Sequence, residues 1–230
     1  MKRNQLIDSL RGITIISMVL FHLFYNINYY ISLDFYDGTV FNRVWQLSIA
    51  LSFFIISGIS SNYLSPRSNL IRGIKTSLIG FLISIVTYIF AKDQFILWGV
   101  LNGLGISMII GSFLAKYIKN WAFPLFILAF VFTYKIQSGS LLGTFDFLYE
   151  KNLFFLGFPG PGFKSTDYFP IIPWTLAYLG GISLGKYLFA RDFFNIKMKD
   201  NILAKIGRHS LIIYLAHQVI LYPLVSLIFS

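Results

Sequence analysis

The sequence predicts an all-α protein: a polytopic membrane helix bundle of about seven transmembrane helices, N-terminus in the cytoplasm and C-terminus outside. Three observations predict it. Seven apolar runs lie along the 230 residues, most of them near the ~20 residues a helix needs to cross hydrocarbon. Only 12% of the residues are charged and the mean hydropathy is +0.69, whereas soluble domains carry about 25% charged residues. The basic residues are shared unevenly between alternate connections. The whole chain, 1–230, is read as one integral-membrane domain.

The spans are expected at 6–31, 44–64, 70–91, 95–115, 121–135, 168–189 and 206–229. Helices are the only sensible choice, because hydrocarbon offers the backbone no outside hydrogen-bond partner. The fifth span is short and contains Pro124. Between the fifth and sixth lies a long connection, 137–167, whose Gly157-Phe-Pro-Gly-Pro-Gly162 cannot continue a helix. Between the sixth and seventh, 191–205 is basic and partly amphipathic, suited to an anionic leaflet.

Orientation follows from Lys and Arg. With the N-terminus inside, 14 of the 19 basic residues fall on the cytoplasmic side, among them Lys2, Arg3, Arg11 and Lys197. Six of the nine acids fall on the other side, Asp34, Asp37, Asp93, Asp146, Glu150 and Asp167. That bias fits an odd number of spans. The net charge of +10 is therefore read as basic cytoplasmic loops, with no nucleic-acid partner. The absence of Cys excludes disulfides and thiolate chemistry. Three His and few acids argue against a metal cage, so no metal is expected. The first run is too long for a cleavable signal, and Asp8 and Arg11 precede its apolar part.

Small residues cluster inside spans two, four and six, including Gly181-Ile-Ser-Leu-Gly185. Close helix packing accounts for them, since lipid supplies no hydrophobic force between helices.

The first span carries the most telling residue. His22 lies at bilayer depth, where a titratable group usually has a function or a specific partner. Eleven residues separate it from Arg11, about 16 Å along a helix and nearly the same face. Asp8 and Asn26 extend this into a polar stripe, Asp8, Arg11, His22, Asn26. Facing lipid, each central charge in such a stripe would cost about 2.5–3.5 kcal/mol, so it must face other helices or a wet cavity. Candidate partners are Asn102, the pair His217 and Gln218, the indole of Trp174, and Asp167 at the outer mouth. Each also has an ordinary reading. A buried His is often bonded to a carbonyl, an ordinary reading of Asp8 with Arg11 is a helix-start ion pair, and that of Asn102 is a bridge between helices.

Four segments together resemble a known family. Asp8-Ser-Leu-Arg-Gly12 followed by His22 looks like integral-membrane acyltransferases. Gly99-Val-Leu-Asn-Gly-Leu-Gly-Ile-Ser107, Ser165-Thr-Asp-Tyr-Phe-Pro-Ile-Ile-Pro-Trp174 and Ile206-Gly-Arg-His-Ser-Leu-Ile-Ile-Tyr-Leu-Ala-His-Gln218 narrow this. They resemble the catalytic-domain family of heparan-alpha-glucosaminide N-acetyltransferase, in its short prokaryotic members. Asn26 stands where such members often carry an acid, and Asn102 where they often carry His.

The resemblance implies transfer of an acyl group from acyl-CoA, acetyl-CoA first, bound from the cytoplasm. The acceptor would be a sugar or another hydroxyl or amine across the membrane, such as a glycan or a lipid-linked acceptor. It places Asp8 and Arg11 at the CoA end and His22 at the thioester as general base, with Asn102 or Gln218 holding the thioester oxygen. The lipid bilayer and an oligomeric partner complete the expected associations. Two other functions stay open from the residues alone: a small-molecule or lipid transporter with a polar intramembrane pathway, and a non-catalytic membrane partner protein.

Overall fold

The structure, a computed structural model, describes residues 4–195 and 198–229. Lys2, Arg3 and Lys197 of the basic set lie outside the described residues. Among the described residues every regular element is helical. In chain order the α-helices are α1 (Gln5–Tyr30), α2 (Val40–Ser61), α3 (Pro66–Phe90), α4 (Val100–Leu114), α5 (Phe123–Thr133), α6 (Asp146–Glu150), α7 (Ile171–Ala190), α8 (Ile202–Arg208) and α9 (Ser210–Phe229).

Four of them, α1, α2, α3 and α9, are long and apolar enough to cross a membrane. The first three and α7 agree with expected spans to within about four residues at each end. Two expectations need correction. The fourth span does not begin at 95: Trp98 takes a left-handed backbone, φ 64°, and the helix starts only at Val100. Its 15 residues reach about 22 Å. The seventh span is broken at His209 into α8 and α9. The Asn201 side chain caps α8 by accepting the Ala204 N–H at 2.9 Å, a helix start inside the basic connection 191–205. In the fifth span Pro124 opens α5 in its first turn, where a missing N–H costs nothing.

The chain packs as two compact units, 1–56 with 193–230, and 57–192. In the first, α1 is the central element. Asn4 caps it by accepting the Ile7 N–H at 3.1 Å. One face buries Ile15, Met18 and Phe21 against Tyr36 and Ile49, with Trp45, Ile213 and Tyr214 around them. Trp45 donates its indole N–H to Ser17 Oγ at 2.8 Å, fixing the start of α2 on α1. Elsewhere on α1 Leu10, Ile13, Leu20 and Tyr25 are exposed, groups suited to lipid. Helix α8 lies directly on α1. A Cβ on Gly207 would run into the Asp8 carbonyl oxygen, and one on Gly12 into that of Leu203. Two glycines thus let the backbones touch.

In the second unit, α4 packs between α3 and α7. The residues around α7 bracket it. Asp167, just before α7, accepts the Val100 N–H at 2.9 Å. Ser107 and Thr175 share a hydrogen bond at 3.0 Å midway. Lys186 donates to the Ala115 and Ile118 carbonyls at 2.6 and 2.8 Å. An acid thus meets the positive end of the α4 dipole and a base the negative end.

Candidate functional site

The polar stripe of α1 faces inward within the first unit. Asp8 and Asn26 are each only 5% exposed, and His22 is half-buried. At the α8 end, Asp8 Oδ1 accepts from Arg11 Nη1 at 3.1 Å. Asp8 Oδ2 is buried and has no hydrogen-bond partner among the described residues. Arg208, in the last turn of α8, also lies within the field of Asp8. Its guanidinium is gripped through both outer nitrogens by Asp200, at 2.9 and 3.0 Å. This pairing holds the exposed Asp200 carboxyl below its usual range.

Farther along α1 the stripe meets α9. Gln218 links two of its members. Asn26 Nδ2 donates to Gln218 Oε1 at 3.0 Å, and Gln218 Nε2 lies 3.1 Å from His22 Nδ1. With that amide orientation Gln218 donates to Nδ1, and the proton of a neutral His22 sits on Nε2. Turning both amides end for end keeps every hydrogen bond and moves that proton to Nδ1.

His217 is the third ring of this cluster. Its centroid is 4.7 Å from that of His22. His217 Nδ1 is 2.5 Å from the carbonyl oxygen of Tyr214. A carbonyl only accepts, so Nδ1 must donate and carries a proton. His217 Nε2 is buried and has no hydrogen-bond partner among the described residues.

Sequence reasoning therefore named four residues that the fold brings together: His22, Asn26, His217 and Gln218. It missed the Tyr214 carbonyl, for which a main-chain acceptor leaves no residue-type signal. Asn26, in place of an acid, supplies a neutral amide to Gln218 and no charge to the cluster.

The other candidates belong to the second unit. Asn102 is 1% exposed in α4, set against Gly80 of α3. Neither its oxygen nor its nitrogen has a hydrogen-bond partner among the described residues. A buried amide in that state is costly and unusual. Trp174 donates its indole N–H to Gln137 Oε1 at 3.0 Å, and its ring lies 4.6 Å from Phe169. Asp167 is partly buried. Loss of surrounding water pushes its pKa up to about 6, against the pull of the Val100 N–H. Beside it opens a cavity of about 910 Å³ whose lining includes the charged side chains Lys92, Asp93 and Lys164.

Chemically, the first unit offers two imidazoles, two amides and an arginine–aspartate pair on α1 and the facing α9, both of membrane-spanning length. This is equipment for proton transfer and for holding a polarised carbonyl. No curated protein and no solved structure matches the chain. Over residues 3–219 it does match a family described as "Heparan-alpha-glucosaminide N-acetyltransferase, catalytic". That span contains all four resembling segments together with the His22 cluster, and it identifies this membrane chain as belonging to that family of transmembrane acyltransferases.

Proposed function

We propose that this protein moves an acyl group, acetyl first, from acyl-CoA at the cytoplasmic face to a hydroxyl or amine acceptor across the membrane. A sugar, free or lipid-linked, is the acceptor class, in keeping with the activity that names the family. The observation that carries the reading is the His22 cluster: a titratable ring on a membrane-length helix, turned inward and held by Gln218. The proposal keeps the seven-span arrangement with the N-terminus inside, on the strength of the Lys and Arg distribution. It puts the Arg11 end of α1 in the cytoplasmic headgroup layer, where the guanidinium meets the phosphates of CoA.

His22 touches the reacting thioester. The acceptor heteroatom attacks the thioester carbon, its proton leaves to an imidazole, and the carbonyl oxygen gains negative charge that an N–H donor stabilises. The C–S bond then breaks, and CoA departs as the thiol. Asn102, Asp167 and Trp174, in the second unit, are kept as supporting residues of this proposal.

The test is CoA-thiol release from acetyl-CoA by the full chain in lipid nanodiscs, with glucosamine as acceptor. A rate that depends on protein and falls at least a hundredfold in His22→Ala is the expected result. Unchanged transfer in that variant, or no acetyl-CoA binding by the wild type, sinks the enzyme reading. Substrate-driven uptake into sealed vesicles would favour a transporter instead.

A further inference from the structure

The structure points to a division of labour between the two facing rings. We propose that Nε2 of His217 is the base that takes the acceptor's proton, and that His22 donates its Nε2–H to the thioester oxygen. This rests on the acyl-transfer reading and refines which ring does what.

Two tautomers carry the argument. His217 Nδ1 must donate, because its partner at 2.5 Å is the Tyr214 carbonyl oxygen. The second nitrogen therefore presents a lone pair. It is buried and has no hydrogen-bond partner among the described residues. A second proton there would leave a buried N–H without an acceptor, a costly state. A bare imidazole nitrogen whose ring is locked by its other nitrogen is the arrangement a general base needs. His22 differs. Its Nδ1 faces Gln218 Nε2 at 3.1 Å, so in this amide orientation its proton sits on Nε2, as a donor. In the same orientation Asn26 Nδ2 donates to Gln218 Oε1 at 3.0 Å, and the spectrum below tells this arrangement from the one with both amides turned. The rings are adjacent, 4.7 Å between centroids, so one substrate can meet both.

The step balances without another reactant. As the acceptor heteroatom bonds to the thioester carbon, its proton passes to His217 Nε2. His22 Nε2–H hydrogen-bonds to the oxygen that becomes negative and keeps its own proton. When the C–S bond breaks, its electron pair stays on sulfur. The proton on His217 returns to the thiolate, which leaves as CoA thiol. Both rings end as they began.

Two experiments decide this. The first needs no acceptor and no variant activity. The chain has three histidines, so ¹⁵N-histidine spectra of the full chain in nanodiscs resolve each ring, assigned through His22→Gln, His209→Gln and His217→Asn. The expected spectrum shows His217 protonated at Nδ1 and bare at Nε2, and His22 the reverse. The opposite tautomer at His217 overturns the proposal.

The second is CoA-thiol release from acetyl-CoA with glucosamine or with hydroxylamine, a nucleophile that attacks without a base. His217→Asn keeps a donor for the Tyr214 carbonyl and removes only Nε2. It should lose about 10²–10⁴-fold with glucosamine and less than tenfold with hydroxylamine. His22→Gln keeps a donor near Nε2 and should stay within about tenfold, whereas His22→Ala falls about 10²–10³-fold. Equal losses of His217→Asn with both nucleophiles overturn the base assignment, as does His22→Gln no better than His22→Ala. Should His217→Asn fail to fold, His217→Gln is scored the same way and the spectrum still decides. No thiol release by the wild type with either nucleophile fails the acyl-transfer reading itself, whatever the tautomers.

Discussion

Gln218 Nε2 lies 3.1 Å from His22 Nδ1, across 196 positions of sequence. The same amide accepts from Asn26 at 3.0 Å, so one side chain of α9 fixes two residues one turn apart on α1. Gln218→Ala removes both hydrogen bonds, each worth about 1 kcal/mol. CoA-thiol release should fall about tenfold or more, while acetyl-CoA affinity stays within twofold. Steady-state kinetics beside calorimetric titration separates the two. A loss confined to affinity would mean that Gln218 serves the donor and not the ring.

Asp8 and Arg11 should behave as a coupled pair. Arg11→Ala deprives a carboxylate that is 5% exposed of its ion-pair partner at 3.1 Å. Stability should drop by about 2–3 kcal/mol. Adding Asp8→Asn should restore most of it, because no buried charge is then left over. Acetyl-CoA binding should stay at least tenfold weaker in both variants. Thermal unfolding in detergent and equilibrium binding check the two halves, and recovery of binding in the double variant would refute the assignment of Arg11 to the donor.

The seam of α1 and α8 has no room for a methyl group. Gly207→Ala places a Cβ against the Asp8 carbonyl oxygen. Overpacking of this kind costs about 1–3 kcal/mol, and backbone contact puts Gly207 at the upper end. The melting temperature in detergent should fall by several degrees. An unchanged melt would show that α8 moves off α1 freely.

Asp167 gives a pH signature with a definite sign. Its pKa in the folded protein is pushed up to about 6, so folding favours the protonated carboxyl. Its contribution to stability is complete below about pH 4, the unfolded value, and disappears as pH rises through about 6. Asp167→Asn is neutral throughout. The melting-temperature difference, wild type minus variant, should therefore decline between pH 4 and pH 6 and be flat above pH 7. A flat difference across the whole range would contradict the burial assigned to this carboxyl.

What could be read from sequence was what repeats or carries charge. The apolar period located α1, α2 and α3, and the helical step from Arg11 to His22 put the stripe on one face. His217 and Gln218 stood out as polar residues in an apolar run. Local geometry was hidden. Trp98 enters a left-handed conformation, φ 64°, and cuts α4 short, although its neighbours are as apolar as those of a full span. His209 breaks the last run because Asn201 starts a helix early enough to finish at Arg208. The tautomer of His217 depends on a main-chain carbonyl, which every residue has, so residue type could not reveal it.

The bracketing of α4 has a consequence for how the second unit opens. Asp167, just before α7, holds the first N–H of α4, that of Val100, and Lys186 of α7 holds the carbonyls of Ala115 and Ile118 just past the last turn of α4. A slip of one turn, about 5.4 Å, would break both ends at once. Fraying, the usual fate of helix termini, is suppressed where these two charges sit. Amide hydrogen exchange should then report α4 and α7 as one cooperative unit with a common opening free energy, while the exposed half of α3 exchanges sooner. Lys186→Met should split that unit, speeding exchange at the C-terminal turn of α4 first.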